Sequence, residues 1–214
     1  KGLVRMREFT QMELEYFFNP KHPEFAGIDR VKDMKMTMMV GGKLHEMSAH
    51  EVVQKELAAN EIFAYFLTKQ WEFYKQVGAD PARMYLRVLD KAEVPHYSKG
   101  NIDMEVKTSF GAIETIGNAY RTDFDLSQHA KGSGKPMDVF IEEEKAKAVP
   151  HVFEVSMGVD RLFFCILEHC FRDKDQAPKE ETGGNEPGTG KDWEWFDFPP
   201  VIAPGTLCRV DSNV

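Results

Sequence analysis

The sequence predicts an α+β fold, a mostly antiparallel sheet flanked by helices. Strand-like and helix-like segments follow one another without the regular βαβ rhythm of a parallel sheet. Gly111 separates two strand-like stretches, near 102–108 and 111–120, as a hairpin turn would. A long helical pattern before them and an apolar one near 159–172 supply the covering layer.

Residues 1–18 read as one long strand or a strand pair. Because side chains alternate along a strand, one face carries Val4, Met6, Thr10, Met12, Leu14, Tyr16 and Phe18, interrupted by Glu8. The other face carries Arg5, Arg7, Phe9, Gln11, Glu13 and Glu15. Residues 19–48 read as irregular, on account of Pro20, Pro23 and the Gly41-Gly42 turn. One long helix is expected next. Ser48 with Glu51 three residues later forms a capping box. Val53, Leu57, Phe63, Leu67, Trp71 and Tyr74 keep helical spacing, and Gly78 followed by Pro81 stops the helix.

Strands follow near 83–90, 102–108 and 111–120. Residues 130–148 read as a polar connection, with the charge run Glu142 to Lys147 as a solvated turn or helix face. A strand over 151–157 leads into the apolar helix. Residues 173–192 are rich in Gly, Pro, Glu and Lys and read as a disordered linker or insertion. Order is expected to resume with Trp193, Trp195, Phe196 and Phe198, then Pro199-Pro200.

Bulk properties narrow the class. The 214 residues suffice for one large domain or two small ones, with 42% hydrophobic and 29% charged residues, an ordinary globular balance. The formal net charge of -8 gives no overall attraction to nucleic acid, so any RNA contact requires a local basic patch or another domain. The three cysteines, Cys165, Cys170 and Cys208, form no C-x-x-C pair, and a reducing cytoplasm suits them better than a disulfide framework. Cys165 and Cys170 flank His169. They read as small apolar residues of a buried helix, since tetrahedral zinc usually shows paired ligands at tighter spacing. No apolar run is long enough to span a membrane, and no signal peptide is expected.

Two constellations carry chemistry. In Arg5-x-x-x-Phe9-x-x-x-Glu13, a spacing of four on a strand returns each side chain to one face. Arginine clamps phosphate through its planar fork, a flat ring stacks on a purine, and a carboxylate holds an ammonium group. The competing reading is an exposed strand with salt bridges. In Glu154-x-Ser156-x-Gly158-x-x-Arg161, Glu154 and Ser156 leave the same face of a strand, and Arg161 falls in the first turn of a helix. A cation there opposes the helix dipole at a cost of about 0.3–1 kcal/mol unless an anion compensates. Asp160 can compensate locally; alternatively, Arg161 and the helix N-terminus receive phosphate.

These residues resemble the class II aminoacyl-tRNA synthetases. Arg5-x-x-x-Phe9-x-x-x-Glu13 looks like the second half of their motif 2, and Gly158-x-x-Arg161 before Leu162-Phe163-Phe164 looks like motif 3. Gly2-Leu3-Val4-Arg5-Met6-Arg7-Glu8-Phe9-Thr10 is similar to the glycyl-tRNA synthetase family of archaeal and eukaryotic type. So are Thr108 to Glu114, Gly117-Asn118-Ala119-Tyr120-Arg121 with Asp125-Leu126, Pro150 to Ser156, and Pro200 to Pro204.

The resemblance implies a class II catalytic core over 1–172, the linker at 173–192, and at 193–214 the end of the core, leading toward an anticodon-binding domain. It implies ATP and Mg²⁺, glycine and tRNA(Gly), and a homodimeric, cytoplasmic full-length enzyme. Arg5 would contact ATP phosphate, Phe9 would stack on adenine, and Arg161 would bind the far end of the triphosphate. Glu13, Glu154 and Ser156 would surround the glycine ammonium. Glu114 would help hold Mg²⁺ with the ATP, and Arg121 would be a further glycine-pocket residue. The family's upstream motif 2 arginine and its motif 1 do not occur in the 214 residues, so the chain alone is expected to be inactive. The rival is a non-catalytic, synthetase-like accessory subunit; such proteins are expected to lose pocket residues that this chain retains. Gly188-Thr189-Gly190-Lys191 reads as linker and Gly132-Ser133-Gly134-Lys135 as a turn, while His96, His129 and His151 read as structural.

Overall fold

The computed structural model describes residues 2–173 and 194–203. A 3-10 turn at Gly2–Val4 precedes strand β1, Gln11–Phe18. Strands β2, Lys35–Val40, and β3, Lys43–Ser48, form a hairpin across Gly41-Gly42. Helices α1, Ala49–Gln54, and α2, Glu61–Gln76, come next. Strands β4, Met84–Val88, β5, Ile102–Thr108, and β6, Gly111–Thr122, precede α3, Phe124–Ser133. A small hairpin of β7, Val139–Ile141, and β8, Ala146–Ala148, leads to β9, His151–Gly158, and α4, Val159–Cys170. Phe171–Arg172 pairs with Trp195–Phe196 as β10 and β11.

One sheet organises the chain, in the strand order β1-β9-β6-β5-β4-β2-β3. Every neighbouring pair is antiparallel except β2 with β4. The expected α+β, mostly antiparallel architecture is what the chain adopts. The core lies where α2 and α4 cover the sheet. Phe153 on β9 meets Phe63 at 4.6 Å and Phe66 at 5.5 Å between ring centroids. A buried amide pair registers α2 on β6. Gln70 Nε2 donates to Asn118 Oδ1 at 2.6 Å, and Asn118 Nδ2 donates to Gln70 Oε1 at 3.0 Å and to the Ile102 carbonyl at 2.8 Å. A buried amide left without these partners would cost roughly 1–3 kcal/mol, so the pair specifies one alignment of helix on sheet.

Helix α4 is fixed by its last turn. Glu168 accepts from Ser109 N–H and Oγ and from Arg83 Nη2, tying the β5–β6 turn to the helix. His169 Nδ1 accepts from the Asp80 amide at 3.0 Å, so its Nε2 carries the proton donated to the Lys107 carbonyl at 2.9 Å. Cys165 and Cys170 are buried and free, and burial pushes the Cys165 thiol up to about 12. His169 and the two cysteines are therefore packing residues. Gly188 to Lys191, Trp193 and Cys208 lie outside the described residues. Phe198 and Ile202 pack back against the core.

Four expectations need correction. The strand expected over 1–18 begins only at Gln11, because Gly2–Val4 turns and residues 5–10 run as an irregular segment. Residues 19–48 contain the β2–β3 hairpin, whose signal was Met36 and Met38 alternating into the core beside a Gly-Gly turn. The long helix is two. The capping box at Ser48 is present, but the chain turns at Glu56, φ 55°, and Asn60 caps a new start by accepting from Phe63 N–H at 2.9 Å. Residues 130–148 hold the end of α3 and the β7–β8 hairpin, around the solvated turn that the charge run predicted.

Gly78 ends α2 as expected, at φ +97°, and a Cβ there would stand 2.7 Å from Cys170 Sγ and 2.9 Å from Pro199 Cδ. Gly78→Ala should cost about 2–4 kcal/mol by urea denaturation, combining left-handed strain with overpacking. Gly41→Ala, also at positive φ but in open space, should cost only about 1–2 kcal/mol. Equal losses would remove the packing part of the account.

Candidate active site

The sheet face opposite α2 is built by three adjacent strands. Glu13, Ser156 and Gly117 are cross-strand partners on β1, β9 and β6, and Glu15, Glu154 and Ala119 form the next row. Alternation sends Met157 and Phe153 of β9 into the core, and therefore Ser156 and Glu154 to the other side. Gln11 Nε2 donates to Glu13 Oε1 at 2.9 Å and also to Ser156 Oγ, holding these two residues together.

The segment before β1 folds over the end of this face and encloses a cavity of about 230 Å³. Arg5, Phe9, Gln11, Glu114, Ser156, Asp160 and Arg161 line it. The segment is tied to the start of α4. Thr10 N–H donates to Asp160 Oδ2 at 2.6 Å, and Val159 N–H donates to the Thr10 carbonyl at 2.9 Å. Arg161 Nε donates to the Val4 carbonyl at 3.2 Å and Nη1 to the Glu114 carbonyl at 2.8 Å. Two of its five N–H groups are thus used, and three remain for an anion. Asp160 does not neutralise Arg161 but holds the Thr10 amide. Phe9 is 61% exposed at the cavity wall.

The acidic groups divide into two sets. Glu154 meets Arg121 Nη1 at 3.1 Å. Burial pushes its carboxyl up, while Arg121 pulls it down and Glu13, Glu15 and Asp125 push it further up. On the other side of Gly117 lie Glu114 and Asp103. Their Oε1 and Oδ1 atoms stand 3.6 and 3.9 Å from where a Cβ on Gly117 would be. Asp103 is buried, and burial, then the charge of Glu114, push its carboxyl up to about 7. Among the described residues, no group of three or more metal-ligating side chains comes together. Glu114 with Asp103 beside it suits only an ion that brings further oxygen ligands of its own, as Mg²⁺ on a triphosphate does.

Of the expected site residues, Arg5, Phe9, Glu114, Ser156 and Arg161 surround one cavity. Glu13 and Glu154 lie on the adjoining sheet face. Arg5 and Phe9 reach the site from an irregular segment, not from the strand alternation that first aligned them with Glu13. Arg121 stands behind Glu154, with its other nitrogens on Asp125. Gln11 was legible as a polar residue on the right face, but its bridging role was not. Asp103, on β5, carried no signal beyond strand alternation.

A mostly antiparallel sheet, with the Arg5–Phe9 segment over one end and Arg161 in the first turn after β9, is an architecture of the class II aminoacyl-tRNA synthetase type. Comparison with known proteins takes this further. A glycine–tRNA ligase of Pyrococcus abyssi is 38% identical over 190 residues, covering 85% of this chain and 33% of that protein. One of Archaeoglobus fulgidus is 30% identical, covering 85% and 44%, and one of Caenorhabditis elegans is 33% identical, covering 68% and 22%. The chain belongs to the glycine–tRNA ligase family, and it spans less than half the length of these relatives. No family model matches it. A solved prolyl-tRNA synthetase of Cryptosporidium parvum, complexed with halofuginone and AMPPNP, is similar over 78% of this chain and 25% of that one, at 10% identity and TM-score 0.48. Among the described residues, no helix is long and apolar enough to cross a membrane.

The Asp103 environment predicts a pH effect. The unfolded chain ionises this group near its ordinary value of about 4, whereas the folded chain keeps the proton up to about 7. Stability therefore falls as pH rises through that window and levels off above it. Asp103→Asn should leave the urea midpoint nearly unchanged at pH 4 and stabilise the protein at pH 8 by up to about 4 kcal/mol. A lower midpoint than wild type at pH 8 would mean that the ionised carboxylate is compensated.

Proposed function

We propose that this chain carries the ATP and glycine sites of an enzyme that activates glycine as glycyl-adenylate and transfers it to tRNA(Gly). The observation that carries this reading is the single cavity shared by Arg5, Phe9, Glu114, Ser156 and Arg161, opening beside the acidic face of Glu13 and Glu154. Phe9 offers an exposed ring to adenine. Arg5, which makes no ion pair among the described residues, meets phosphate, and the free N–H groups of Arg161 at the N-terminus of α4 take the far end of the triphosphate. Glu114 would hold Mg²⁺ on the ATP, where the ion offsets phosphate charge. Glu13, Glu154 and Ser156 receive the glycine ammonium. The relatives' names support glycine, and so does the floor of the site, where Gly117 lies between Ser156 and the Asp103–Glu114 pair.

The reaction needs no protein nucleophile. The glycine carboxylate attacks the α-phosphorus of ATP, and the bond to the bridging oxygen breaks, releasing pyrophosphate. A terminal ribose hydroxyl of the tRNA then attacks the activated carbonyl, and AMP leaves. The chain's contribution is to align the reactants and to set fixed cations against the phosphates. In this reading the full-length enzyme is a cytoplasmic homodimer.

The test is amino-acid-dependent ATP–pyrophosphate exchange by the full-length protein across a panel of amino acids. Exchange with glycine alone is expected. Glu13→Gln and Ser156→Ala should raise the glycine KM roughly 10–100-fold, the loss of one charge-assisted contact, with little change in the ATP KM. Exchange with another amino acid would keep the class and overturn the glycine assignment. No exchange with any, from folded protein, would favour an accessory subunit.

A further inference from the structure

We infer that Arg121 does not touch the substrate but positions Glu154, forming with Asp125 and Tyr97 a clamp that holds this carboxylate as the anionic wall of the glycine site. The inference rests on the proposed function, since it takes Glu154 as a glycine ligand. The geometry leaves Arg121 little else to do. Its Nε and Nη2 donate to the two oxygens of Asp125 at 2.5 and 2.8 Å, a bidentate pair. Its Nη1 lies 3.1 Å from Glu154 Oε2. The guanidinium carbon sits 4.2 Å from the centroid of the Tyr97 ring, a stacking distance. All three nitrogens and one flat face are engaged.

The clamp draws on separate parts of the chain. Arg121 comes from the end of β6, next to the register shift between Tyr120 and Thr122. Asp125 comes from the first turn of α3, and Tyr97 from the segment between β4 and β5. Asp125 fixes the guanidinium edge-on and Tyr97 fixes its plane, so the remaining nitrogen has one direction in which to act. An arginine bound at one point would swing. An arginine held at an edge and a face is a cation fixed in place, which a lysine cannot reproduce in full.

The charge around Glu154 makes a positioning cation necessary. Asp125 on α3 and both Glu13 and Glu15 on β1 face it, and among the described residues Arg121 on β6 is the cation that acts on it. Burial and the three carboxylates drive Glu154 toward its neutral form, and Arg121 opposes them. A neutral Glu154 offers no anion to an ammonium group. With Arg121 removed, Glu154 ionises only at higher pH, so glycine binding should weaken at neutral pH and recover as pH rises.

The experiment measures glycine and ATP KM in the exchange reaction of the full-length protein from pH 6 to 8.5, for wild type, Arg121→Gln, Arg121→Lys and Asp125→Asn. Arg121→Gln should raise the glycine KM at least tenfold at pH 7, with the ATP KM within twofold, and the defect should shrink at pH 8.5. Arg121→Lys should recover part of the loss. Asp125→Asn, which keeps the cation and loosens one edge, should fall between, and it stands in if Arg121→Gln does not fold. A second readout does not depend on activity: in protein labelled with ¹³C-glutamate, the carboxyl signal absent from Glu154→Gln should titrate at higher pH in Arg121→Gln. An unchanged glycine KM, or a loss independent of pH and shared with ATP, would overturn the clamp. So would an unmoved Glu154 titration. No glycine exchange by the wild type, together with the shifted Glu154 titration in Arg121→Gln, would sink the functional reading and leave the clamp standing.

Discussion

The architecture depends on one strand. Strand β9 lies between β1 and β6, and its period-two alternation serves two environments at once. Phe153 and Met157 go into the core against α2 and α4, while Glu154 and Ser156 go to the open face. A slip of one residue would bury two polar groups and expose two large apolar ones, so the register is strongly specified. The strand ends at Gly158, which begins α4, so the same segment that sets the carboxylate also places Arg161. Packing in the core and placement in the site are thus one constraint, read on opposite faces of one strand.

The open face carries charge at a cost in stability. Glu13, Glu15, Glu154 and Asp125 are opposed by Arg121, and Asp103 is buried beside Glu114. A fold selected for stability alone would not gather these groups. In the proposed function these anions stand in place to receive the glycine ammonium, and the covered face can supply the offsetting stability. There the Gln70–Asn118 pair and the aromatic contacts to Phe153 are fully made.

The cavity itself is assembled by contacts across the whole chain. Thr10 meets Asp160 and Val159, and Arg161 meets Val4 and Glu114. These are mostly hydrogen bonds to backbone groups, so they fix the path of the segment carrying Arg5 and Phe9 with little demand on its side chains. Arg5 and Phe9 stay exposed, and Arg5 makes no ion pair among the described residues, the condition in which side chains can meet a ligand.

The sequence by itself determined the α+β class, the β5–β6 hairpin, the β9–α4 unit, the capping box at Ser48 and the stop at Gly78. These are local signals, set by alternation, caps and turns within a few residues. It also placed Glu154, Ser156 and Arg161 in their true relation, because they lie on one strand and the helix that continues it. It misplaced the start of β1 and joined α1 to α2, since a strand pattern persists wherever residues alternate and a helix pattern survives a short break. Only the tertiary structure decided that Phe9 and Arg5 curl over the sheet end, that Asp103 stands beside Glu114, and that Arg121 faces Asp125, Glu154 and Tyr97 at once. Each of these depends on which strands become neighbours and how they are offset, and the spacing of residues along one segment carries no information about that.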